Sequence, residues 1–318
     1  MPTDALPMSA AAAGEASMTT IAQARFDPDA FRGYGSVSFI GAPRDGSILY
    51  AGKKIEDRLE KLGPAKDCLV FIEEGMSVPA AVEKQHTFVL CDSAIRGYAL
   101  FTRRIAEQEA AESRRKGYVT TPQGYHLGRD VVLGDDVYIE PGVLIDHGVT
   151  IGAGSIVLAN SVIRHATIGR DCLIKTNAVI GDQGFTLYTD EDGNTARVFC
   201  LGSVSIGDKV EIGSFTTVCR GQNTATTIGA YSKLDDHVHV GHDIVIGKNS
   251  LLTAGATIGG YDTIGDGAYI GMNATTRQFV TIEAGACVPM GARVGKDVAA
   301  GDRYGVPKHE AQNESGKH

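Results

Sequence analysis

From Leu127 onward an aliphatic residue, usually followed by glycine, recurs every six positions: Leu127, Leu133, Ile139, Ile145, Ile151 and Val157. The beat slips near Arg164 and resumes at Ile168, Ile174 and Ile180. After a break it returns at Ile206, Ile212 and Val218, slips again, and runs unbroken from Ile228 to Val294. The positions in that last run are Ile228, Leu234, Val240, Ile246, Leu252, Ile258, Ile264, Ile270, Thr276, Ile282, Val288 and Val294, of which only Thr276 is not aliphatic. Four places after most anchors stands a small or β-branched residue, such as Ser250, Ala256, Ala268, Ala274, Ala286 and Ala292. A unit this short buries its apolar face only against copies of itself, so the period predicts a solenoid.

This pattern resembles the hexapeptide-repeat acyltransferase superfamily. The resemblance implies a mainly β fold, a left-handed parallel β-helix preceded by a small α/β domain. Three hexads then form one triangular coil, with the aliphatic residue inside and the small residue beside a corner. Residue i lies beneath residue i+18 unless an insert intervenes, and residues between anchors mostly face outward. Composition agrees with such a fold. Forty glycines with only ten prolines and no G-X-Y period mark tight corners rather than collagen.

The same totals exclude several functions. A formal charge of −8 leaves no basic stripe to release counterions from phosphates, so no nucleic-acid partner is expected. The six cysteines form no CxxC and no framework spacing, which points to a reduced, cytoplasmic protein. No apolar run is long enough for a membrane span. Residues 1–25, rich in Ala, Ser and Thr without a basic start or apolar core, read as a disordered lead rather than a signal peptide.

Residues 26–120 read as a small α/β domain. "SVSFI", "ILYAG", "CLVFIEE" and "TFVLCDS" are strand candidates, and Ala94 to Lys116 is a helix with Ile95, Tyr98, Phe101 and Ile105 on one face. Residues 121–300 carry the coils, with inserts at about 182–203 and 219–227 and a short tail at 301–318. The first insert reads as a hairpin turning at Asp192-Gly193.

The densest set of functional side chains is "LDDHVHVGHD", Leu234 to Asp243. Acyl transfer from a thioester needs a base for the acceptor's proton and a donor for the developing oxyanion. His242 is the candidate base, with its imidazole oriented by Asp235 or Asp243. Gly260, one coil later, is the candidate oxyanion donor because glycine leaves its N–H open to approach. His126, His147 and His165 stand alone and read as surface histidines, and His86 carries no motif.

From Gly181 to Gly265 the chain is similar to the UDP-3-O-acylglucosamine N-acyltransferases of lipid A (lipopolysaccharide) synthesis. The matching landmarks are Gly184-Phe185 opening the first insert, Arg220-Gly221 opening the second, and "LDDHVHVGHDIVIG". The resemblance implies His242 as general base, Gly260 as oxyanion donor and Asp235 as the acidic neighbour. It makes His239, Gly184, Phe185, Arg220 and Asn223 candidate substrate contacts and Tyr50 a candidate nucleotide contact. It departs from the family's pattern at Lys53 and Glu56, where an asparagine and a second aromatic belong, and at Phe279, where a second histidine belongs. After the last coil the sequence reads "KHEAQNESGKH", without the family's C-terminal helices that engage acyl carrier protein.

The expected activity is N-acyl transfer to a nucleotide-linked amino sugar, without a resident cofactor or metal. The donor is a phosphopantetheine thioester on acyl carrier protein or on CoA. The expected assembly is a homotrimer with sites between subunits. N-acetylation of a different nucleotide amino sugar for surface polysaccharide is the alternative. A zinc hydratase like the γ-class carbonic anhydrases, using His237, His239 and His242, and a non-catalytic scaffold are weaker readings.

Overall fold

The computed structural model describes residues 18–20 and 36–305. They fall into two compact units: the residues up to Ala110 with Thr186–Leu201, and Ala111–Phe185 with the residues from Gly202 onward.

The first unit is built on a parallel sheet. Its strands are β1 (Met18–Thr20), β2 (Ser36–Val37), β3 (Ser47–Ala51), β4 (Leu69–Glu73) and β5 (Thr87–Cys91), in the order β1-β5-β4-β3-β2. Continuous apolar runs suit strands covered on both faces, and alternate residues supply two cores. Ile48, Leu69, Phe71 and Val89 lie beneath Tyr98 and Phe101 of the helix Ala94–Lys116. Leu49, Val70, Ile72 and Phe88 pack with Leu59 and Leu62 of the 3-10 segment Lys53–Leu62. "SVSFI" pairs only through Ser36–Val37. Met18–Thr20 corrects the expectation of a disordered lead, because it pairs with Phe88–Leu90 and covers the open edge of β5. The rest of that lead, and the tail beyond residue 305, lie outside the described residues.

The hairpin expected in the first insert forms from Thr186–Thr189 and Thr195–Val198. Asp190 Oδ1 accepts the N–H groups of Asp192 (3.1 Å) and Asn194 (2.7 Å), and Gly193 has φ +81°. Tyr188, Val198 and Leu201 join the core beneath the long helix, so the insert belongs to the first unit and not to the coils it interrupts.

The second unit is a left-handed parallel β-helix with three sheets, which start at His126–Leu127, Val132–Leu133 and Tyr138–Ile139. They are called here the first, second and third sheet. The opening strand Val119–Thr120 pairs antiparallel with the first coil, and every later coil pairs in parallel. Register is eighteen residues, as in Ile228↔Ile246. It is one shorter at Ile163↔Ile180, twenty longer at Ile168↔Ile206 across the first insert, and four longer at Ile206↔Ile228 across the second. The anchors, with Ile163 among them, form one apolar column from Ile139 to Val298.

Two features keep the coils in step. Three places after an anchor the backbone turns with positive φ, at Asp130, Asp136, Gly142, Gly148, Gly154 and Asn160 in the first coils. Asp, Asn and Gly tolerate that region best. Where glycine follows an anchor it answers a different need: a Cβ on Gly265 would lie 2.4 Å from Ala284 N of the next coil. Ile264→Ala should cost about 2–5 kcal/mol of stability, the range for truncating a buried aliphatic. Urea unfolding checks this, and a cost below about 1 kcal/mol would mean that the column is loosely packed.

Candidate active site

The corner between the first and second sheets collects the chemistry. Both inserts leave the coils there; His165 occupies it before them, and His242, Gly260 with Tyr261, and Phe279 occupy it in the three coils after them. Extra chain is tolerated at a corner because the strand pairing of the three sheets does not run through it.

His242 is only 4% exposed, and its Nδ1 lies 2.9 Å from Asp243 Oδ2. Asp243 sits at the left-handed corner position (φ +57°), which turns its carboxylate back under the second insert. Oδ2 also accepts the Gln222 N–H (2.7 Å). Oδ1 accepts the Asn223 N–H (2.9 Å), the Thr224 N–H (2.7 Å) and the Thr224 hydroxyl (3.0 Å). A carboxylate only accepts, so it selects the tautomer protonated on Nδ1 and leaves Nε2 as a lone pair. One carboxylate therefore shapes the insert and sets the imidazole.

Gly260 lies against that ring. A Cβ there would come within 2.9 Å of Nε2 and Cε1, so close approach, not left-handed φ, demands the glycine. Its N–H donates to no group among the described residues. A base nitrogen and an unengaged N–H thus adjoin one point of the corner, as thioester aminolysis requires. Tyr261 meets the imidazole edge-on at 5.0 Å, and its hydroxyl accepts Asn223 Nδ2–H at 2.7 Å. Phe279 stacks on Tyr261 at 4.7 Å and is 68% exposed.

Two residues in the wall below were not foreseen. Asp262 occupies a position that Ile244 and Val280 fill in the neighbouring coils, and it is 1% exposed. Its carboxylate accepts the hydroxyl of Thr276, the one polar anchor, and the Val280 N–H at 2.8 Å. Thr276 Oγ1 in turn accepts the Gly259 N–H at 2.8 Å. The signal was present as two breaks in the hexad pattern, fourteen residues apart, that compensate each other only once the coils stack.

The other expected residues scatter. Asp235 is exposed in the preceding hexad, and within the chain it is Asp243 that meets the imidazole. His239 is exposed on the outer face of the first sheet, between Thr217 and Thr257. Arg220 and Asn223 are buried, with Arg220 Nε donating to Gly202 O at 2.6 Å, so both brace the insert. Gly184 is buried and Phe185 is 75% exposed where the first insert leaves the coils. Tyr50 belongs to the first unit, 4.8 Å from the ring of Tyr98. His165 is half-buried rather than a surface residue, and burial followed by the charge of Arg220 pushes its pKa down to about 4. His147 accepts the Arg129 N–H, and buried His86 accepts the Cys68 N–H. His237 stacks on Phe215 at the corner before His242, so the three clustered histidines occupy different faces. Among the described residues no three His, Cys, Asp or Glu side chains stand where they could hold one metal ion.

Burial pushes the Asp262 carboxyl up to about 6, against the bonds from Thr276, Val280 and Gly259. A carboxyl raised by folding favours the native state while protonated, and that contribution is lost as pH rises through about 6. Asp262→Asn should therefore gain in melting temperature, relative to the unchanged protein, between about pH 4 and about pH 7.5. Scanning calorimetry reads the difference, and a difference independent of pH would mean that Asp262 does not titrate there.

The bacterial transferase hexapeptide (six repeats) family matches residues 130–165 and 225–260. UDP-3-O-acylglucosamine N-acyltransferase of Maricaulis maris is 44% identical over 93 residues, 29% of this chain and 27% of that protein. The enzyme of that name from Rhizobium meliloti is 41% identical over 140 residues, 44% of this chain and 40% of that protein. The matches span less than half the length of these relatives. UDP-N-acetylglucosamine acyltransferase of Campylobacter jejuni shares the fold, with a TM-score of 0.51 at 24% identity over 57% of this chain and 68% of that one. The chain thus carries hexapeptide repeats and is similar through its coils to the UDP-3-O-acylglucosamine N-acyltransferases.

Proposed function

We propose that the chain is an N-acyltransferase that moves an acyl group from a phosphopantetheine thioester to the amino group of a nucleotide-linked amino sugar. The observation that carries this reading is the His242 imidazole, held at Nδ1 by Asp243, with Nε2 beside the unengaged Gly260 N–H. The acceptor class is drawn from the relatives' names.

In the proposed reaction the neutral amine attacks the thioester carbonyl. Nε2 of His242 takes the ammonium proton as the C–N bond forms, and Asp243 stabilises the resulting imidazolium. The carbonyl oxygen, now bearing charge, accepts the Gly260 N–H. Collapse of the tetrahedral intermediate breaks the C–S bond, and the departing thiolate takes the proton back from Nε2. The products are an amide and a free thiol, with the base regenerated. The enclosed position of His242 favours this chemistry, since partial exclusion of water strengthens each of these interactions. A homotrimer, in which a neighbouring coil lines the cleft beside this corner, belongs to the same proposal. Among the described residues no helix is long and apolar enough to cross a membrane.

A thiol-release assay with mass detection of product tests the reading. It crosses short- and long-chain acyl-CoA and acyl carrier protein with UDP- and dTDP-amino sugars. Transfer of a long chain to 3-O-acylated UDP-glucosamine is the expected result, and acetyl transfer to a different amino sugar would make this a surface-polysaccharide enzyme. Silence over the panel with nucleotide binding intact would favour a scaffold. His242→Ala should lower kcat roughly a hundred- to ten-thousandfold, with oligomeric state and melting temperature retained. A loss below about fivefold would place the base elsewhere, with His239 the next residue to test.

A further inference from the structure

From Gly229 to Arg277 the ladder between coils is regular except at one step beside His242. After each anchor in this run the next residue donates its N–H to the main-chain carbonyl of the anchor one coil on. The bonds Gly229 to Ile246, Asp235 to Leu252, Gly241 to Ile258, Gly247 to Ile264 and Thr253 to Ile270 follow this rule. So do Gly265 to Ile282, Gly271 to Val288 and Arg277 to Val294. Gly259 does not: its N–H goes to the side-chain hydroxyl of Thr276 at 2.8 Å. Strand pairing at this step is correspondingly cut to Thr257↔Thr275, where neighbouring steps pair two residues.

The hydroxyl is itself fixed. Thr276 Oγ1 donates to Asp262 Oδ2, and Asp262 Oδ1 accepts the Val280 N–H at 2.8 Å. Asp262 therefore closes a loop of bonds around the turn Gly259-Gly260-Tyr261 that contains the residue touching the imidazole. Aliphatic side chains, as found at the equivalent positions of neighbouring coils (Ile258 and Val294 for Thr276, Ile244 and Val280 for Asp262), would give up this loop and restore the ladder. A buried carboxylate and hydroxyl in a column otherwise made of aliphatic side chains run against the rule for such interiors. Departures of that kind concentrate at functional sites.

We infer that Asp262 and Thr276 are positioning residues, which hold the Gly259–Gly260 backbone off the regular ladder and thereby aim the Gly260 N–H at the point where the oxyanion forms. The inference rests on the acyltransfer reading in which Gly260 is the oxyanion donor. Neither side chain touches substrate; both act through the peptide they hold.

The test is the double variant Asp262→Val with Thr276→Ile, which gives both positions the aliphatic side chains of the neighbouring coils and removes both buried polar groups together. Its melting temperature should equal or exceed that of the unchanged protein. Its kcat should fall about tenfold or more, with KM within about threefold, the scale of losing one aimed oxyanion donor. A purely structural pair predicts the opposite pattern, and kcat within twofold of the unchanged protein would overturn the proposal. Thr276→Ser, which keeps the hydroxyl, should retain kcat within about threefold, whereas Thr276→Val should lose it as the double variant does; equal effects of the two would also overturn it. A crystal structure of the double variant gives a readout apart from turnover. The Gly259 N–H is expected to return to the main-chain carbonyl of position 276, with a shift of Gly260 N relative to the His242 ring, and a superposable Gly259–Tyr261 backbone would count against the proposal. His242→Ala assayed in parallel separates the two ideas. Full activity in that variant removes the reading of this corner as the acyl-transfer centre, while the crystallographic comparison still decides what the pair does to the turn.

Discussion

Everything in the second unit depends on the distance between successive coils. Parallel strands hydrogen-bond at a spacing of about 4.8 Å, and each coil must return to its starting direction within that rise. Such a return needs a backbone that turns with positive φ at every corner and a glycine wherever the coil above comes too close for a Cβ. The anchors then stack into one apolar column with no freedom to slide, because a shift of one residue would turn the whole column outward. Sequence can be added only where the ladder does not run. Both inserts leave from the same corner, and there the side chains lie on a frame that cannot adjust to them.

That corner is organised by Asp243. Its left-handed backbone aims a buried carboxylate at four donors of the second insert and at the imidazole of His242, so the loop and the base are set by the same group. Tyr261 ties the arrangement together from the next coil, bonded to Asn223 and edge-on to His242. Tyr261 and Phe279 both take left-handed corner positions that aromatic residues seldom occupy, at a cost on the order of 1 kcal/mol or more each. Such strain is tolerated because the stacked coils on either side over-determine the backbone.

The pair Asp262 and Thr276 shows the same economy from inside the wall. Replacing two apolar residues by a carboxyl and a hydroxyl sacrifices hydrophobic burial, and the raised pKa of Asp262 reflects the energy of keeping a charge there. What is gained is local: a peptide beside the candidate base is held by side chains instead of by the ladder. A solenoid whose stability is a sum over neighbouring coils can absorb one weakened step without unfolding elsewhere.

The repeat and its architecture were legible in the sequence because the hexad period is a direct image of the coil. Anchors are aliphatic nearly wherever the column passes, so most from Leu127 to Val294 could be read one by one, and only Ile163, at the slip in the beat, was left for the fold to supply. The long helix Ala94–Lys116 and the strands of the first unit were legible through ordinary apolar periodicity. His242 was legible through the histidine-rich cluster and Gly260 through its spacing of one coil, and the fold brings the two together. The sequence left the carboxylate partner open between Asp235 and Asp243, and only the corner geometry assigned Asp243, since a left-handed φ decides where that side chain points. It presented Arg220 and Asn223 as contact residues, whereas folding buries them as braces of the insert. Asp262 and Thr276 were visible only as irregularities. Their meaning appeared once stacking brought together residues fourteen apart, because a hydrogen bond between two coils depends on the rise and phase of the solenoid, which no single hexad encodes.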